Sequence, residues 1–233
     1  MMRTKPEMGG IYHIYNRGVE KRKIFLDDQD YLRFVHDLFE FNDQNPAINL
    51  AYYFGKSKSK EVGLPKIERG ARKLFVRLMA FCLMPNHFHL IVQQITDDGI
   101  TEFIRKLGTG YTNYFNKKYR RVGPLFQGKY KSVQIKSESH LIHLPYYIHL
   151  NPLDVAGIEW RGEKVINYKK ASEFLEKYRW SSYRDYIGIR NFPSVTQREF
   201  LTKFFDGPEN YRKRMIKWLK ERDVGDLETV VFK

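Results

Sequence analysis

The residues best equipped for chemistry lie in the stretch Pro85-Asn86-His87-Phe88-His89-Leu90-Ile91-Val92. Side chains alternate between faces along a strand, so His87 and His89 share one face and Phe88 takes the other. Two imidazoles about 7 Å apart along a strand can close on one divalent cation. Phe88 and Leu90 would pack into the core behind them. Taken alone, the pattern fits equally a core histidine beside a surface one. A second group follows at Tyr146-Tyr147-Ile148-His149-Leu150-Asn151-Pro152. Positions i and i+4 of a helix share a face, which sets Tyr147 and Asn151 together, and Pro152 should close the helix there. The amide oxygen of Asn151 suits Mg²⁺ or Mn²⁺, both of which accept oxygen donors. Tyr147, one turn away, would point at whatever that metal holds. Its structural alternative is an ordinary core tyrosine with a satisfied hydroxyl.

A third feature concerns binding. Between Arg105 and Lys136 there are nine Lys or Arg and no Asp or Glu, in a chain with 27 acids. Aromatic residues run among them. Cations that neutralise phosphates and rings that stack on bases are the two components of a single-strand binding groove. Helical spacing assigns Tyr111, Tyr114 and Phe115 to a core face, leaving Tyr119, Phe126 and Tyr130 as candidate base contacts. Arg105, Lys117, Lys118, Arg120, Arg121, Lys129 and Lys131 are the candidate phosphate contacts.

These residues need elements to position them. Gly10 to Asn16 alternates as a first strand, and Asp27 or Asp28 can cap a helix that ends near Asn45-Pro46. Residues 55–72 are Lys- and Gly-rich without periodicity, the signature of a long polar insertion. Residues 73–84 form an apolar central strand, and 87–94 return as its antiparallel neighbour. A helix over about 100–119, a strand near 129–136 and a helix capped by Ser137 or Ser139 complete the series. The order β-α-β-β-α-β plus a helix is the ferredoxin-like split βαβ pattern, an α+β fold with a mainly antiparallel sheet. A catalytic domain over 1–157 is then expected, with a basic, mostly helical extension over 158–233. In that extension Phe174, Tyr178 and Tyr183 are candidates for packing on the core. Arg212, Lys213, Arg214, Lys217 and Lys220 surround Trp218 on a basic helix.

Composition agrees with a nucleic-acid partner. The chain has 233 residues, 41 Lys or Arg against 27 Asp or Glu, and a formal net charge of +14. Such an excess favours a polyanion. One cysteine, Cys82, excludes a disulfide framework or a zinc cluster. With no apolar run of membrane-spanning length and no signal-peptide core at the N-terminus, the expectation is a cytoplasmic protein with no membrane association.

Residues 11–18 (IYHIYNRG), 84–92 (MPNHFHLIV), 125–131 (LFQGKYK) and 147–152 (YIHLNP), with a weaker echo at 180–188 (WSSYRDYIG), resemble the REP-associated tyrosine transposases. These are single-tyrosine insertion-sequence transposases within the HUH endonuclease superfamily. The resemblance implies a ferredoxin-like core in which His87 and His89 bind Mg²⁺ or Mn²⁺. It also implies Tyr147 as nucleophile and Asn151 as third ligand, acting on single-stranded DNA hairpins. Pro145, inside the tyrosine helix, should kink it. The residues support the same chemistry. A phenol with a pKa of about 10 is almost wholly protonated at neutral pH, so attack on phosphorus needs charge drawn off the phosphate. A phosphotyrosine retains the bond energy, and rejoining then needs no ATP. His13 and His149 are secondary candidates for proton handling, although His149 lies about 200° round the helix from Tyr147. The competing expectation is a non-catalytic DNA-hairpin-binding protein. Either could be a monomer or a homodimer.

Overall fold

The computed structural model describes residues 5–46, 71–161 and 165–221. Four strands, β1 (Ile11–Arg17), β2 (Val76–Met84), β3 (His87–Gln94) and β4 (Lys131–Gln134), form one antiparallel sheet in the order β2-β3-β1-β4. Two helices interrupt them, α1 (Asp28–Glu40) after β1 and α2 (Gly99–Lys118) after β3. A third, α3 (Glu138–Leu150), follows β4. This is the ferredoxin-like βαββαβ order, with strand and helix bounds within a few residues of expectation except at the end of α1. That helix stops at Glu40 and Phe41 rather than running on towards Pro46. The Lys- and Gly-rich stretch 55–72 lies, apart from its last two residues, outside the described residues.

Local chemistry accounts for the element ends. Asp27 caps α1, its carboxylate accepting from the Asp30 amide, and Asp30 reaches back in a reciprocal capping box. Ser137 caps α3 by accepting from the His140 amide at 3.2 Å. The helix continues through Pro145 to Leu150, so the proline does not break it. Gly110 on α2 leaves room for the Phe41 ring, which a Cβ at that position would strike.

The sheet separates two cores. On one face Ile14, Leu78, Phe81, Leu83, Phe88, Leu90 and Val92 pack against α1 and α2, including Phe34, Leu38, Phe103, Leu107 and Tyr111. On the other face Ala80, Cys82, Met84 and Ile91 meet α3. Alternation along β3 therefore sends Phe88 and Leu90 towards α1 and α2, and His87 and His89 towards the tyrosine helix.

Four further helices, α4 (Tyr168–Lys177), α5 (Tyr183–Tyr186), α6 (Glu199–Phe204) and α7 (Pro208–Glu221), cover the outer side of α3. Their Leu175, Tyr183, Tyr186, Phe205, Tyr211, Met215 and Trp218 belong to the same apolar cluster as Leu144, Tyr146 and Ile148. Helix α3 is consequently buried on almost every side from Leu144 onward. The expected packing of Tyr183 on the core is observed. Three cations of the basic helix are taken up nearby: Arg212 pairs with Glu176, Lys213 with Glu209 and Arg214 with Asp206. Among the described residues no helix is long and apolar enough to cross a membrane.

Candidate active site

The β1–β3 register sets Tyr15 opposite His89 and Arg17 opposite His87. His13, two residues before Tyr15, lies on the same face and approaches His89, its Nε2 lying 2.8 Å from His89 Nδ1. The ring of Tyr15 stacks on that of His89 with centroids 5.8 Å apart. The His87 and His89 rings stand edge to face at 5.0 Å. Tyr147, brought across by α3, places its ring 6.1 Å from His89, also edge to face. Paired strand and helix thus bring the two imidazoles and the phenol to one place within a single chain.

Hydrogen bonding fixes the free nitrogen of one imidazole outright. His87 Nδ1 lies 2.6 Å from Asn86 Oδ1. Asn86 Nδ2 donates to the Lys21 carbonyl, which keeps the amide oxygen turned to His87. An amide oxygen only accepts, so Nδ1 of His87 carries the proton and Nε2 has a lone pair. For His89, contact with His13 engages Nδ1, and Nε2 is a ligand atom in the tautomer in which His89 Nδ1–H donates to His13 Nε2. Burial holds both imidazoles neutral: His87 is pushed down to about 4, and His89 falls well below its ordinary value. Neutral rings with one engaged nitrogen are the form in which histidine binds a divalent metal. Among the described residues no group of three His, Cys, Asp or Glu is arranged to hold a metal ion. A cation here would therefore complete its shell with the Asn151 amide, water or substrate oxygen.

Asn151 is buried at the end of α3 and donates from Nδ2 to the Tyr147 carbonyl at 2.8 Å. Its Oδ1 accepts from Arg161 at 3.2 Å. Arg161 is also forked onto Asp154, at 2.6 and 2.8 Å, and its charge opposes the rise in the Tyr147 pKa. Trp160 flanks the group, with its ring 5.5 Å from Tyr147 and its Nε1 donating to Asp154. Tyr147 itself is only 6% exposed, and burial raises its pKa against the opposing pull of Arg161. Sequence reading missed Asp154, Trp160 and Arg161, which follow the tyrosine helix without periodicity.

The two secondary histidines part company. His13 supports His89, as above. His149 faces away into the C-terminal helices, with Nδ1 2.7 Å from the Tyr211 hydroxyl and Nε2 2.8 Å from that of Ser182. It therefore has no place in proton handling at Tyr147. Burial pushes its pKa down to about 3. Because its unfolded value is about 6.5, the unfolded state takes up the proton first. The stability it contributes is complete above pH 6.5 and is lost as pH falls towards 3. Urea unfolding between pH 6.5 and 4 should lose about 1.4 kcal/mol per pH unit for each such histidine. His149→Gln, which retains a donor and an acceptor, should reduce that slope by one histidine's share. An unchanged slope would remove His149 from the account.

The basic stripe divides. Lys118 bridges Asp27 and Asp30, each at 2.7 Å, and Tyr119 donates to Asp30 at 2.7 Å. Both serve to satisfy the buried carboxylate of Asp30, which gives each of these candidate contacts a structural partner. Arg121 donates to Asn116, and Arg105 pairs with Glu102 on the surface. Lys117, Arg120, Lys129 and Lys131 are exposed. Arg105, Phe126, Lys129 and Tyr130 line one cavity of about 950 Å³ between α2 and the segment 124–130. Phe126 reaches its floor by packing on Phe88, with ring centroids 5.9 Å apart.

Residues 55–151 match the family described as "Transposase IS200 like". That span holds β2, β3, α2, β4 and α3, and so His87, His89, Tyr147 and Asn151. No curated protein matches the chain. Among solved structures, it is similar to one described as a REP-associated tyrosine transposase bound to a REP hairpin. The TM-score is 0.51 at 14% identity, over 82% of this chain and 88% of that one. The chain thus has the fold of a REP-associated tyrosine transposase, and its residues 55–151 carry the IS200-like transposase signature.

Proposed function

We propose that the protein is a metal-dependent transposase that recognises hairpins in single-stranded DNA, cuts beside them through Tyr147 and transfers the strand. One observation carries the reading: the Tyr147 ring lies against His89, within the same chain as a histidine pair whose Nε2 atoms suit a divalent cation. His87 and His89 would hold Mg²⁺ or Mn²⁺, with Asn151 supplying oxygen through the second lone pair of its amide. Bound there, such a cation draws charge from the non-bridging oxygens of a phosphodiester. Tyr147 provides the attacking oxygen, His13 accepts from His89 Nδ1 in the tautomer that ligates through Nε2, and the exposed cations near α2 track the backbone. The hairpin as partner rests on the similar structure, which is bound to one.

The test is a 5′- or 3′-labelled single-stranded hairpin with a flanking tail, incubated with Mg²⁺ or Mn²⁺. A covalent protein–DNA adduct that survives denaturation is expected. Binding without an adduct, across several divalent ions, would leave a hairpin-binding protein instead. The burial of Tyr147 is what favours that second reading.

His13 offers a separate check on the metal. His13→Phe fills similar space but removes the partner of His89 Nδ1. Mn²⁺ affinity, measured calorimetrically without DNA, should fall about 10- to 100-fold. An unchanged affinity would mean that His89 needs no support from β1.

A further inference from the structure

Arg161 has more donors at the site than its structural contacts require. Its two terminal nitrogens serve Asp154 and Asn151, and its charge lies close enough to the Tyr147 phenol to favour the phenolate. The Nε–H is buried and has no hydrogen-bond partner among the described residues. The guanidinium carbon sits 4.3 Å over the Trp160 ring, and Trp160 is itself bonded to Asp154. The group is therefore held at its terminal nitrogens by a carboxylate and on one face by an indole. An unpaired buried donor costs about 1–3 kcal/mol; Arg184 carries one as well, and what sets Arg161 apart is its place beside Tyr147, Asn151 and Trp160. It suits a site that receives an anion.

We propose that Arg161 is a catalytic residue: it aligns the Tyr147 phenol and receives a non-bridging oxygen of the scissile phosphate as charge builds on phosphorus. The proposal rests on Tyr147 acting as nucleophile. In the step, the bond from Tyr147 Oη to phosphorus forms and the bond from phosphorus to the 3′ oxygen breaks. The phenol proton ends on that oxygen, through water, giving a free 3′-hydroxyl. Arg161 neither gives nor takes a proton, since a guanidinium has no acceptor and does not deprotonate in proteins. Its part is a fork of fixed donors, which a planar cation supplies and an ammonium does not. Asp154 is the positioning residue behind it.

The test is the single-turnover rate of adduct formation on the labelled hairpin with Mg²⁺. Arg161→Ala should slow it about 100-fold, the usual scale for losing one preorganised donor, with hairpin affinity unchanged. Arg161→Lys, which keeps the charge opposite Asp154 and loses the fork, should remain at least about tenfold slow. It also serves if the alanine variant folds poorly. The decisive readout replaces the scissile phosphate by a neutral methylphosphonate. With no second non-bridging charge to receive, the gap between parent and variant should shrink to a few-fold. A gap of the same size on both linkages would make Arg161 a strut for the 154–161 turn. A faster variant would make it a plug over the nucleophile. Either overturns the proposal while leaving Tyr147 in place. A parent protein that forms no adduct at all overturns the functional reading itself, and this one with it.

Discussion

Tyr147→Phe is expected to form no covalent adduct with a single-stranded hairpin, a loss on the order of 10⁴-fold or more, while binding that hairpin as the parent does. The substitution deletes one oxygen and leaves the ring. Contacts with His89 and Trp160, at 6.1 and 5.5 Å between centroids, are retained. Arg161 keeps Asp154 and Asn151. A loss of cleavage is then a loss of the nucleophile and not of the fold, which circular dichroism and a melting curve would verify. Denaturing electrophoresis of the labelled complex gives the answer directly. If the phenylalanine variant cleaves like the parent, the nucleophile is another phenol. Tyr15, stacked on His89, would be the first to replace next. Tyr146 is an unsuitable substitute despite its position in sequence. Its ring is stacked on Tyr211 at 4.9 Å, in the core shared with the C-terminal helices.

Strand alternation and helical spacing were sufficient to read the sheet, the histidine pair and the side of α3 that meets it, because each depends on neighbours close in sequence. What escaped depends on distant ones. Lys118 and Tyr119 sit in a stretch without a single acid, and a window of sequence gives them no counter-charge. Folding supplies it from the cap of α1, where Asp30 is wholly buried and must be satisfied. Arg161 escaped for a related reason. It lies beyond the tyrosine helix, on a turn with no periodicity, and reaches Tyr147 only because the chain doubles back after Asp154. His149 was legible in part: its angle round the helix put it away from Tyr147, but nothing local indicated Tyr211 and Ser182 as its partners. The basic helix near Trp218 looked like a cationic surface, whereas Glu176, Asp206 and Glu209 take up three of its charges.

Replacing both His87 and His89 by Ala should abolish Mn²⁺ binding and hairpin cleavage and leave hairpin binding intact. The four exposed candidate cations Lys117, Arg120, Lys129 and Lys131 sit on α2, on β4 and in the segment between them, and not on β3. The single variants should differ from each other in a way that separates ligation from folding. His89 is buried, and its removal strips His13 of its partner and Tyr15 and Tyr147 of a shared ring. A cost of about 1–3 kcal/mol in unfolding free energy is expected there. His87 is only partly buried at the start of β3, and its partner Asn86 keeps the Lys21 carbonyl. His87→Ala should therefore lose metal and cleavage with little loss of stability. Calorimetric titration with Mn²⁺, urea unfolding and the adduct assay, run on the same three variants, distinguish these effects. Cleavage that persists at the parental rate in the double variant would mean that the strand presents its imidazoles to Tyr147 for packing alone, and the metal would have to be sought elsewhere. Loss of binding together with cleavage would place the histidines in the DNA interface rather than under the scissile bond.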